Sequence, residues 1–180
     1  MLIAREKRRT NIAEYILYLW QVEDLIRACS FDRATIEKQL VQQYQAEPGL
    51  QQEISEWYTN LALMMEKEHL QEKGHLQFVV NLMNDLNEFH LKMLEARKDQ
   101  VYPGLYAVNK AAIAELIRKS GSETGNEIEA CLNALYGFML LKLKNAEISE
   151  QTKQTIEGIA RMTGHLSVRY IQFENDDFEF

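Results

Sequence analysis

The chain has 180 residues, 46% of them hydrophobic and 26% charged, with a formal net charge of −7; this is the profile of one soluble domain long enough to bury a core. The acidic balance gives nucleic acid no basic footprint, and two prolines among 180 residues favour long helices over a turn-rich β architecture. Cys29 and Cys131 are the only cysteines; each sits in an apolar helical context and reads as a buried free thiol rather than a zinc ligand.

The N-terminus, MLIAREKRR, places three apolar residues before a basic run and lacks the apolar core of a signal peptide. Residues 1–9 are expected to be a solvated basic lead-in to the first helix, with no nucleic-acid contact. No stretch reaches the length of uncharged apolar sequence that a membrane span requires, so a cytoplasmic protein without a membrane span is expected.

The first helix, Thr10 to Cys29, is apolar over most of its circumference through Ile12, Ile16, Leu19, Trp20, Val22 and Ile26, which predicts a central, buried element. Glu23 falls near the middle of that apolar face, with Arg27 one turn on. Glutamate four residues before arginine is the favourable orientation for a helical ion pair. Asp32 is a predicted N-cap for a short second helix, which Glu47-Pro48-Gly49 ends.

A third helix is predicted from about Leu50 to Glu72, closed by a left-handed cap at Lys73-Gly74, and a fourth from about Leu76 to Lys98. The short link between them predicts antiparallel neighbours. Residues 99–105 then read as a loop broken by Pro103-Gly104. A fifth helix follows from about Tyr106 to Lys119, closed by Ser120-Gly121. Thr124 and Glu127 have capping-box spacing for a sixth, and Ser149 caps a seventh reaching to about Phe173. The sixth and seventh form the second predicted hairpin. The sixth helix is apolar on nearly every side, so it is also predicted to be central, with Ala130, Ala134 and Gly137 admitting a close neighbour. The tail, residues 174–180, is acidic with interleaved phenylalanines and is expected to fray.

Four helices place a charged or titratable group inside: Glu23 and Arg27 on the first, Glu68 on the third, His90 on the fourth, and Lys142 near the end of the sixth. Glu23, Arg27, Glu68 and His90 are expected to converge. Their plainest role is an internal brace; the alternative is the wall of a small-ligand or enzymatic site. A di-metal carboxylate site needs Glu-x-x-His on two helices. Glu66 and His69 have that spacing but face the polar side, Gly74 interrupts Glu72 and His75, and neither His90 nor His165 has a Glu three residues before it. No metal or cofactor is expected. Thr163, His165 and Ser167 do not share an edge, no nucleophile elbow or phosphate loop is present, and no catalytic residue is nominated.

The opening pattern NIAEYILYLWQVEDLIRA, with the helix order after it, resembles a family of small uncharacterised bacterial proteins classed as a domain of unknown function. That resemblance implies an all-helical bacterial cytoplasmic protein and supplies no site residues. The residues predict a single all-α domain of about seven helices with two long antiparallel hairpins. The function expected is non-catalytic binding or scaffolding through a homodimer or protein partner.

Overall fold

A computed structural model describes residues 2–120 and 126–180, the Ser120 side chain excepted. Among the described residues there are eight α-helices and no strand. They are α1 (Leu2–Thr10), α2 (Ile12–Ala28), α3 (Arg33–Ile36), α4 (Pro48–Lys67), α5 (Gln77–Ala96), α6 (Tyr102–Ser120), α7 (Glu127–Leu143) and α8 (Glu150–Glu174). No helix among them is long and apolar enough to cross a membrane. The architecture is the all-α, single-domain bundle that the hydrophobic periodicity predicts.

Helix α2 lies at its centre, packed against α1, α4, α5, α7 and α8. Ile12, Ile16, Leu19, Trp20, Val22 and Ile26 are all buried, as a helix apolar on most sides requires. Its first turn is closed from outside as well as within. The Asn11 side chain accepts from the Glu14 N–H, and the Ser167 hydroxyl of α8 accepts from the Ala13 N–H at 3.2 Å, so two of the otherwise unpaired donors of the first turn are satisfied.

The basic lead-in is itself a helix, which raises the count from seven to eight. Asn11 takes an extended conformation at φ −156° and separates α1 from α2, because an N-cap residue has non-helical geometry. Two of its basic side chains are engaged: Lys7 pairs with Glu14 at 2.7 Å, and Arg8 makes a bidentate pair with Glu174 of α8.

Asp32 caps α3 as expected, accepting from the Thr35 N–H. The helix then widens to a π turn over Glu37–Val41 and tightens to a 3₁₀ turn over Gln42–Tyr44. Pro48 does more than end that segment. It starts α4 at the first helical position, where its missing N–H costs nothing. The same holds at Pro103, which lies in the first turn of α6. The loop predicted over 99–105 therefore shrinks to residues 97–101, and Asp99 caps the new helix start by accepting from the Val101 and Tyr102 N–H groups at 2.9 and 2.7 Å.

The predicted α4–α5 hairpin is not a close pair. Helix α4 packs on α2 and the π turn, whereas α5 packs on α7, α2, α6 and α8. Helix α4 stops at Lys67 because His69 adopts a left-handed φ of 58° and the Leu70 N–H turns back to the Met65 carbonyl at 2.9 Å, a helix-ending arrangement that glycine usually supplies. Residues 68–76 form a connector in place of the predicted last turn.

Helix α7 is central only in its first half, where Ile128, Ala130, Cys131 and Leu132 are buried. Beyond Leu132 no residue of α7 is buried, and Leu141 and Leu143 are 44% and 64% exposed. The close approach predicted at Gly137 is absent, since a Cβ there would meet nothing within 4 Å. It occurs instead between α6 and α8. A Cβ on Gly158 would lie 2.5 Å from the Asn109 Oδ1, and Asn109 donates to the Gly158 carbonyl at 3.2 Å. The predicted caps at Ser120-Gly121 and Thr124 lie outside the described residues; the N-cap of α7 is Asn126, which accepts from the Glu129 N–H. Ser149 caps α8 as expected.

The acidic tail lies against the domain in this structure. Phe180 packs 5.2 Å from Phe89 and 5.4 Å from Phe173, centroid to centroid, and Phe178 packs 6.3 Å from Phe89. Both rings are only partly buried, so each contributes less than the ~1.5–3 kcal/mol of full burial. Ordering the segment costs on the order of 1 kcal/mol or more per residue, which opposes that gain.

Candidate functional site

The four interior residues singled out in the sequence divide between two places. Three of them grip the connector between α4 and α5. Glu23, 1% exposed, spends both carboxylate oxygens there: the Leu76 N–H donates to one at 2.9 Å and His75 Nδ1 bonds the other at 2.6 Å. Arg27 donates through Nε to the Leu70 carbonyl at 3.0 Å and through a terminal nitrogen to the Gly74 carbonyl. Glu68 accepts from the Gln77 N–H at 2.7 Å, capping α5 from the far end of the connector.

Glu23 and Arg27 do not form the expected pair with one another. Arg27 pairs instead with Asp24 at 2.8 Å, whose other oxygen accepts from the Tyr136 hydroxyl at 2.5 Å. Turning both side chains to the connector satisfies its backbone groups, which no helix satisfies there. Glu68 is exposed rather than on a buried face, because α4 has already ended. Trp20 lies under this clasp, its ring stacked on His75 at 4.4 Å; its Nε1 is the one buried side-chain polar atom without a partner among the described residues.

His90 belongs to a different cluster, between α5, α6 and α7. It is fully buried, with Nδ1 2.5 Å from the Tyr102 hydroxyl and Nε2 2.9 Å from a Glu127 carboxylate oxygen. The other Glu127 oxygen accepts from the Tyr106 hydroxyl at 2.9 Å. A carboxylate only accepts, so His90 donates from Nε2 and receives the Tyr102 proton at Nδ1, the neutral tautomer. Burial lowers the His90 pKa from its ordinary 6.5, against the opposing pull of Glu127. Burial likewise pushes the Tyr102 hydroxyl far above its ordinary 10, and the Tyr106 hydroxyl up to about 12.

Asp99 extends this cluster to α8. Its side chain is wholly buried and accepts from Arg169 Nε at 2.6 Å and from His165 Nε2 at 3.0 Å, beyond the two backbone N–H groups of its cap. Burial disfavours the charge, yet these hydrogen bonds outweigh it and hold the carboxyl well below its ordinary 3.8. The His165 ring in turn stacks on Tyr102 at 6.2 Å.

A Tyr–His–Glu relay has the makings of acid–base chemistry. Here the hydroxyl that would react is at 0% exposure and strongly disfavours ionisation, so the relay ties three helices together. Thr163 and Ser167 bond backbone groups, the Ile159 carbonyl and the Ala13 N–H respectively, and form no triad with His165. Among the described residues no group of three or more His, Cys, Asp or Glu is placed to hold a metal ion. Lys142 is exposed and stands 4.7 Å over the Phe138 ring.

Sequence reasoning missed His75, Asp99, Tyr102 and Glu127. Asp99 was the legible one, since an aspartate just ahead of a helix-starting proline is an N-cap signature. Tyr102 carries no local signal and the capping-box spacing of Glu127 points only to a helix start, as the bonds of both to His90 arise only once α5, α6 and α7 meet.

The surface feature left over is the second half of α7. Leu141 and Leu143 are exposed, Phe138, Met139 and Leu140 only partly covered, and Gly137 open. No curated protein and no solved structure matches the chain. One family does, described as "Domain of unknown function (DUF4924)", over residues 1–177, and the chain belongs to that family.

Proposed function

We propose that the protein is a non-catalytic binding protein that acts by self-association, using the second half of α7 as its contact surface. One observation carries this reading. A helix apolar on nearly every side is buried over its first half and left open over its second, with Leu141 and Leu143 in solvent. Exposed leucines clustered on one helix mark an association surface better than scattered single residues do.

The surrounding charges favour a second copy as the partner. Lys142 and Lys144 alternate with the leucines, and Glu147 and Glu150 follow in the chain. A two-fold pairing brings the basic end of one copy against the acidic segment of the other, because each surface in such a dimer meets itself reversed. The interior residues are already committed: both oxygens of Glu23 and both ring nitrogens of His90 have partners. A small-ligand or enzymatic site at Glu23, Arg27, Glu68 and His90 therefore has no free group to offer at its two buried members. We propose a reducing cytoplasm as its compartment, where the buried Cys29 and Cys131 would stay thiols.

Sedimentation equilibrium tests the reading. The wild-type chain is expected to double its 21.0 kDa mass with rising concentration, and the Leu141→Glu, Leu143→Glu variant to associate far more weakly with unchanged helicity. A wild-type chain monomeric at every concentration, or a variant that dimerises equally, overturns it.

A further inference from the structure

Past Asp177 the tail of the chain rests on the domain through its rings. Helix α8 ends at Glu174, and Asp176 reverses the chain at a left-handed φ of 60°. The last backbone hydrogen bond is from the Asp177 N–H to the Gln172 carbonyl, at 2.8 Å. Among the described residues none is hydrogen-bonded to Phe178, Glu179 or Phe180. What holds them is an aromatic platform. Phe89 of α5 sits at its centre, edge-on to Tyr170 at 5.4 Å and 5.3 Å from Phe173. Phe178 and Phe180 cover it, and the Arg169 guanidinium lies 5.6 Å over the Phe178 ring.

We propose that this platform is a docking site for an acidic Phe-x-Phe segment, that residues 175–180 are a strap occupying it in cis, and that the same segment of a second copy takes it when the strap opens. Three features support this. The strap detaches without breaking a hydrogen bond beyond Asp177, so opening leaves the helices intact. Its hinge holds an aspartate in a conformation that favours glycine, and strained short hinges promote exchange of segments between copies. The platform, moreover, has its own anchorage, because Arg169 is fixed by Asp99 at 2.6 Å and by Gln172 at 2.8 Å and does not depend on the strap for its position. The site is separate from the α7 surface, and neither proposal needs the other.

A labelled peptide with the sequence of residues 175–180, NDDFEF, tests the proposal by fluorescence anisotropy on the full chain. The strap competes with the peptide, so the apparent affinity of the wild-type chain is reduced by its open fraction. The Phe178→Ala, Phe180→Ala variant, whose platform is empty, is expected to bind the peptide about tenfold more tightly than wild type if the strap is open roughly a tenth of the time. Adding Phe173→Asp, at a ring already 41% exposed, is expected to abolish binding while circular dichroism shows helicity retained. Should that triple variant not fold, the peptide with both phenylalanines replaced by alanine takes its place and is expected not to bind. The Leu141→Glu, Leu143→Glu variant is expected to bind the peptide as wild type does, whatever its mass. Absence of binding to the folded, emptied chain overturns the proposal. So does binding no tighter than to wild type, or binding that survives Phe173→Asp or loss of the peptide's rings.

Discussion

The two buried polar clusters solve different problems with similar residues. Around Glu23, side chains of one helix grip the backbone of a connector: a carboxylate and a guanidinium hold the Leu76 N–H and the Leu70 carbonyl. Around His90, side chains of three helices bond one another, from Tyr102 through His90 to Glu127. The first cluster fixes where a loop lies; the second fixes how helices sit. In both, burial is tolerated because every charge meets a partner, and an unpaired one would cost several kcal/mol.

Breaking the connector clasp should have the larger effect. Glu23→Leu strands a buried N–H and the His75 ring at once, and is expected to lower stability by about 3 kcal/mol, read as a shift in urea midpoint. A loss under 1 kcal/mol would mean the connector holds itself. In the helix-bonded cluster, Tyr102→Phe removes one donor and leaves His90 Nδ1 unpaired, with an expected loss of about 1–2 kcal/mol.

The His90 cluster should also make stability depend on pH. Burial lowers the His90 pKa below its ordinary 6.5, so under mildly acidic conditions the unfolded chain binds more protons than the folded one. Stability is then full above pH 6.5 and falls as pH drops below it. Asp99 adds a second fall of the same sign below its ordinary 3.8. Urea unfolding of His90→Gln should lose the first fall and keep the second; an unchanged profile would remove His90 as its origin. The smallest effect is expected at Glu68, whose bond to the Gln77 N–H is exposed: Glu68→Ala should cost about 0.5 kcal/mol by the same urea measurement.

Periodicity made most of the helices legible, and α2 in particular, because a face built from Ile12, Ile16, Leu19 and Ile26 has one way to be buried. It erred where a residue has two uses. Pro103 breaks a helix in its interior but starts one in its first turn, and the sequence pattern does not say which turn it occupies. His69 ends α4 in a conformation associated with glycine, so the sequence signal for a helix end, Gly74, lies past the true one. Glu23, Arg27 and Glu68 bond backbone groups in or beside one connector, at Leu76, Leu70 and Gln77, rather than one another. His90 has its partners on α6 and α7, and no helix-by-helix reading reveals which helices adjoin. Composition says only that the tail is acidic and aromatic, and the platform that receives it is assembled from α5 and α8.

Double-mutant cycles on stability test the division into two clusters most directly. The pair Glu23 and His75, replaced singly and together by glutamine, should show a coupling of about 1–2 kcal/mol, since the two share a bond. The pair Glu23 and His90, treated in the same way, should be additive within about 0.5 kcal/mol. Strong coupling of Glu23 to His90, or none to His75, would contradict the division.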